Sequence, residues 1–79
     1  MKRKLVIDDV PKFLTEVRKI LKENFAVETC SSPLRAVRKV QEEEPDLVIT
    51  TLVMKEMDGL DVVRKLRSQS FRKPIIMVT

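Results

Sequence analysis

A change of period, repeated along the chain, constrains this sequence more than any other feature. Four short apolar runs, Leu5–Ile7, Ala26–Cys30, Leu47–Thr50 and Ile75–Val78, alternate with segments whose apolar residues recur at helical spacing. The short runs are rich in β-branched residues and too brief for helices, so they read as strands. From Pro11 to Asn24, Phe13, Leu14, Val17, Ile20 and Leu21 fall on one helical face. Pro11 suits a first helical turn and Asn24 a left-handed close. After Cys30, Ser32 is the expected N-cap and Pro33 the first helical residue. Pro33, Val37 and Val40, with Ala36 beside them, line a face that continues to Glu44 before Pro45 stops the helix. A loop is expected from Thr51 to Asp58. A third helix follows with Leu60, Val63 and Leu66 inward, Asp58 as N-cap and Asp61 three residues on. Ser68–Lys73 reads as loop.

The order is β-α-β-α-β-α-β. It predicts a three-layer α/β fold with a parallel sheet, right-handed crossovers and helices on both faces. The continuous apolar character of Leu47–Thr50 suits a strand covered on both sides, whereas Glu28 suggests a sheet edge. Ligands of such sheets sit beyond the carboxyl ends of the strands. Those ends are Asp8-Asp9, Cys30-Ser31, Thr50-Thr51 and Thr79.

Composition narrows the function classes. The 79 residues allow a single domain, 1–79, and the 43% apolar content rules out a disordered tail. No apolar run approaches the roughly 18 residues that span a bilayer. Asp8 and Asp9 interrupt the apolar stretch behind the basic start, so no signal peptide is read. With the lone Cys30, which can form no internal disulfide, the expected compartment is the cytoplasm. The net charge of +4 is dispersed among Glu42, Glu43, Glu44 and Asp46, and the chain has no Trp or Tyr for base stacking. It reads as a solvated basic surface. The absence of His argues against zinc, and the single glycine argues against a phosphate-binding loop and a nucleotide-dependent enzyme. The chain is not expected to be an enzyme.

Four segments, in order and spacing, resemble the receiver domains of two-component response regulators. They are Leu5-Val6-Ile7-Asp8-Asp9, Ser31-Ser32-Pro33, Pro45 through Leu60, and Pro74-Ile75-Ile76-Met77-Val78-Thr79. The resemblance implies a flavodoxin-like fold with strand order 2-1-3-4, truncated after the fourth strand. It also implies a role in signal transduction or transcription regulation.

In that family an aspartate ending the third strand accepts a phosphoryl group beside a magnesium ion. Here Thr51 holds that position. It carries no charge, and its hydroxyl is a poor nucleophile without a base. The expectation is therefore a degenerate receiver that does not undergo phosphotransfer and works through protein contacts. The less favoured alternative is a threonine that is itself phosphorylated. Asp8, Asp9 and the Val53 carbonyl match the metal site, weakened by the missing third carboxylate, so that at most weak Mg2+ binding is implied. The competing reading of the two acids is that they cap the first helix. Thr79 matches the switch residue. Lys55 stands where the family usually has proline; it is read as loosening the loop, with its charge either offsetting the acids or simply solvated. Gly59 is assigned to the loop-to-helix turn, and Met54, Met57 and Met77 to packing.

The family fold has a fifth strand and two more helices. Without them Ile75, Ile76, Met77 and Val78 form an open apolar edge, a template for pairing. The expected partner is a second copy in a two-fold dimer or the missing C-terminal part of a longer chain; a partner-dependent natural truncation is less favoured. A sensor kinase and an output domain are further implied partners, with nucleic acid reached only through an output domain. The alternative function is an excised or engineered half-domain whose main property is self-association.

Overall fold

The computed structural model describes residues 2–23 and 25–79. Four strands and three helices alternate: β1 (Arg3–Ile7), α1 (Pro11–Leu21), β2 (Ala26–Cys30), α2 (Pro33–Glu43), β3 (Leu47–Thr51), α3 (Gly59–Ser68) and β4 (Ile75–Val78). The strands are all parallel and ordered β2-β1-β3-β4. Both the alternation and the order match the expectation from sequence. β3 is one residue longer than its apolar run, so Thr51 closes the strand instead of opening the loop.

One face of the sheet carries the main core. Leu5, Ile7 and Val48 pack there against Ala36, Val37 and Val40 of α2, Val62 and Leu66 of α3, and Met54. Because strand side chains alternate between faces, Val6 points the other way. It is buried there, as is Leu14 of α1, outside that cluster. Met57 and Ile75 are partly buried against the core, so the methionines at 54 and 57 pack as expected.

Local sequence accounts for α2 completely. Ser32 Oγ accepts the Arg35 N–H at 3.3 Å, Pro33 opens the helix, and Pro33, Ala36, Val37 and Val40 are all buried. Glu44 then takes a left-handed φ of 46°, which lets the chain leave the helix ahead of Pro45. α3 begins as expected, with Asp58 Oδ1 accepting the Asp61 N–H at 2.9 Å. Its buried side differs from the expected one: Gly59, Val62 and Leu66 face inward, Leu60 is 48% exposed and Val63 half-buried. Gly59 sets this phase. A Cβ on it would collide with the Thr51 carbonyl oxygen and lie 3.0 Å from Leu52 Cα, so only glycine lets the helix start this close to β3. Its φ is not positive, so close approach, not a special turn conformation, is what requires glycine here.

α1 departs further from expectation. Of its five apolar positions only Leu14 is buried; Phe13 is 39% and Ile20 74% exposed. The helical spacing is present, but no described element covers that side. The closing role read for Asn24 lies outside the described residues.

The sheet edges are unlike each other. β2 is an edge strand, and its Glu28 pairs with Lys39 of α2 at 3.2 Å, which holds the Lys39 ammonium's pKa above its usual value. β4 is the other edge. Ile76 and Val78, in register with Ile49 and Thr51, lie on the face of Val6 and remain half exposed, while Ile75 and Met77 are partly buried on the core side.

Candidate functional site

The carboxyl ends of the strands converge as the topology requires. Asp8, Thr51, Val53 and Thr79 line one cleft of about 350 Å3, together with Val10, Phe13, Leu52 and Val78. Residues from the ends of β1, β3 and β4 thus meet at one place, although they are 43 and 28 positions apart in sequence, from 8 to 51 and from 51 to 79. The cleft has a largely apolar wall. Val10 and Phe13 contribute to it; the sequence marked Phe13 only as part of an apolar helical face and did not single out Val10.

Thr51 is held by its backbone. The Thr50 hydroxyl, fully buried, donates to the Thr51 carbonyl at 3.0 Å, and the Leu52 N–H donates to the Val78 carbonyl at 3.0 Å. The Thr51 hydroxyl oxygen is buried and finds no hydrogen-bond partner among the described residues. A buried hydroxyl without a partner forfeits its hydration.

The two acids have separate local tasks. Asp8 is 6% exposed, and its Oδ1 accepts the Val10 N–H at 2.9 Å, just ahead of α1. The residue at the N-cap of α1 is Val10, and no side chain caps that helix. The reading of the acids as caps of the first helix is therefore corrected: Asp8 holds the turn before it. Asp9 reaches across to the loop between β3 and α3, where its Oδ2 accepts the Lys55 N–H at 2.9 Å. This also corrects the expectation that Lys55 loosens the loop, because its backbone amide is a point of attachment. Its side chain is exposed and takes no part in the three ion pairs among the described residues.

A second tie fixes the same loop. Ser32 Oγ donates to Glu56 Oε1 at 3.1 Å, joining the N-terminus of α2 to the loop. At its base the Gly59 N–H donates to the Leu52 carbonyl at 2.7 Å. The Val53 side chain is 83% exposed on the outside of the loop, and Met54 is buried beneath it.

The donors fit a divalent cation poorly. Magnesium sites draw on carboxylates, phosphate oxygens and waters in an octahedron. Here two carboxylates have each committed an oxygen to a backbone amide, and the third strand offers a neutral hydroxyl. Among the described residues no three His, Cys, Asp or Glu side chains gather where a metal could be held.

Comparison with known proteins decides the family. The model of the response regulator receiver domain matches residues 5–79. The chain belongs to the response regulator receiver domain family. Its fold is that of solved receivers: the Vibrio cholerae chemotaxis protein CheY4 superposes with a TM-score of 0.92 at 30% identity, over 98% of this chain and 67% of that one. Among curated relatives, the alkaline phosphatase synthesis transcriptional regulatory protein PhoP of Bacillus subtilis is 33% identical over 79 residues, covering 99% of this chain and 33% of the relative. A protein-glutamate methylesterase/protein-glutamine glutaminase of Rhizobium johnstonii is 37% identical over 79 residues, covering 96% of this chain and 21% of the relative. This receiver therefore spans about a third of PhoP and about a fifth of the methylesterase. Their names carry different outputs, transcription in one and ester hydrolysis in the other, so the shared receiver segment does not by itself set the output. No helix among the described residues is long and apolar enough to cross a membrane.

Proposed function

We propose that this receiver acts in two-component signalling without phosphotransfer, through protein contacts. What supports the reading is Thr51: a neutral side chain, with its hydroxyl buried and unpartnered, at the end of β3. A hydroxyl needs a base to attack phosphorus, and the chain has no histidine to serve. On this reading Asp8, Asp9 and the Val53 carbonyl are the remnant of a metal site that holds Mg2+ weakly at most, and Thr79 is a former switch residue. The protein is not an enzyme and works in the cytoplasm. Its partners are a sensor kinase and an output domain, and any contact with nucleic acid belongs to the output domain. The test is incubation with acetyl phosphate and Mg2+, read by intact mass. The unmodified chain is expected to stay unlabelled. A phosphoryl adduct mapped to an aspartate overturns the reading.

One observation favours a second reading, self-association. Ile76 is 49% and Val78 41% exposed on an edge strand whose outer hydrogen-bonding groups have no partner strand in the four-stranded sheet. Such an edge is a template for pairing, and two copies related by a two-fold axis join it most simply. On this reading Ile75, Ile76, Met77 and Val78 form the interface. Sedimentation separates the cases: a dimer that Val78→Lys disperses supports it, and a folded monomer at high micromolar concentration refutes it.

A further inference from the structure

We infer that Asp9 is a positioning residue that anchors the β3–α3 loop in place of a cation, so that the loop keeps its arrangement with no divalent ion bound. The inference concerns the same pocket as the proposed function but does not depend on it.

The loop from Leu52 to Asp58 buries little of itself. Val53, Lys55 and Glu56 are exposed, while Met54 is buried in the core and Met57 packs partly buried against it. Between and around these two apolar contacts, polar ties hold its backbone. One closes its base, from the Gly59 N–H to the Leu52 carbonyl. One holds its far side, from Ser32 to Glu56. The middle is held by Asp9, whose carboxylate reaches 46 residues along the sequence to the Lys55 amide. A carboxylate accepting an N–H is among the stronger hydrogen bonds available to a protein. Asp8 cannot substitute, because it is buried and already holds the Val10 amide.

A cation on Asp9 competes with this role. The Lys55 amide already draws on Oδ2, which makes Asp9 a weaker ligand for an ion. The ion's charge also faces a backbone segment that carries the Lys55 ammonium. Anchoring therefore weakens Asp9 as a cation ligand, and no third acid stands at Thr51 to strengthen the site. The consequence is a fixed outer surface, with Val53 and Lys55 displayed in one arrangement whatever the divalent cation concentration.

The test is amide hydrogen exchange by NMR on the full chain, with Mn2+ binding followed by relaxation enhancement. In the unmodified chain the Lys55 amide is expected to be protected equally with and without Mg2+. Asp9→Ala should speed its exchange about tenfold or more, with the Val10 and Val62 amides unchanged, and Asp9→Asn, which retains an acceptor oxygen, should restore much of the protection. Lys55→Pro removes the donor and frees the carboxylate, so Mn2+ binding should strengthen several-fold. Equal Lys55 exchange in the unmodified chain and Asp9→Ala overturns the inference. So does Mn2+ binding that Lys55→Pro leaves unchanged. Neither result puts a phosphoryl group on an aspartate, so the anchor can fail while the proposed function stands, and the reverse.

Discussion

Gly59→Ala tests the packing that carries the site. The methyl group would enter the space of the Thr51 carbonyl oxygen and sit 3.0 Å from Leu52 Cα and 3.1 Å from the Thr51 carbonyl carbon. All three neighbours are backbone, so no side chain can swing aside. Either β3 or the start of α3 must move, and the Gly59-to-Leu52 hydrogen bond of 2.7 Å lengthens with it. Overpacking of this kind costs about 1–3 kcal/mol, and weakening the hydrogen bond adds about 1 kcal/mol. Alanine's better helix propensity returns at most about 1 kcal/mol, and less in a first turn. The net loss is about 2 kcal/mol. A domain of this size has roughly 4–12 kcal/mol of stability in all.

Urea unfolding followed by circular dichroism reads the effect. With a slope of about 1 kcal/mol per molar for so small a domain, the midpoint should fall by about 2 M. Leu60→Ala is the control, since Leu60 is 48% exposed on the adjacent position of the same helix and its midpoint should move little. A Gly59→Ala midpoint equal to or above that of the unmodified chain refutes the reasoning: it would mean that α3 does not start against β3 in the way that phases Val62 and Leu66 inward.

Thr51→Val removes a buried hydroxyl that has no partner and keeps the shape, so it should stabilise the fold by about 1 kcal/mol in the same unfolding assay; a lowered midpoint would show that the hydroxyl is satisfied. Leu66→Ala empties a fully buried position between α3 and the sheet and should cost about 2–5 kcal/mol, close to unfolding the domain at 37 °C by thermal melt. Asp46 accepts the Arg3 N–H at 2.9 Å, and this bond holds its carboxyl below the usual carboxylate range. A depressed folded-state pKa stabilises the fold above the unfolded value near pH 4 and is lost as pH falls through the folded one. Asp46→Asn should therefore flatten the acid limb of the stability profile below about pH 4 and leave the limb above pH 9 unchanged.

Legibility of the sequence followed the range of the interactions. The strands could be read because β-branched runs bounded by acids, serines and prolines state their own limits. α2 could be read in full, since its cap at Ser32, its opening proline and its buried face all lie within a dozen residues. α3 was half legible: the Asp58 cap is local, but the choice of Val62 over Val63 as the inward residue comes from contact between Gly59 and a strand eight residues back. α1 shows the opposite failure. Its spacing is that of a buried face, yet Ile20 is 74% exposed, because periodicity records which residues could face a partner and not whether one is present. At the site, the positions of Asp8, Asp9, Thr51 and Thr79 followed from the alternating topology. What the acids bind did not, because their partners are backbone amides, which leave no mark in side-chain patterns.

The arrangement also separates the residues that hold the fold from those that line the cleft. In a parallel α/β sheet the core lies mid-strand and the site at the strand ends, so the two answer to different residues. Leu5, Ile7, Val48, Val62 and Leu66 hold the layers together whatever occupies position 51. A third carboxylate beside Asp8 and Asp9 would add like-charge repulsion that a bound cation has to offset. With Thr51 neutral, that repulsion is smaller and the remaining acids can turn to other donors. The Asp9 bond to Lys55 is such a turn. It needs an N–H at residue 55, which proline would lack. Thr51 and Lys55 therefore belong to one physical state of the pocket. The first lowers its charge, and the second supplies the donor that uses the freed carboxylate.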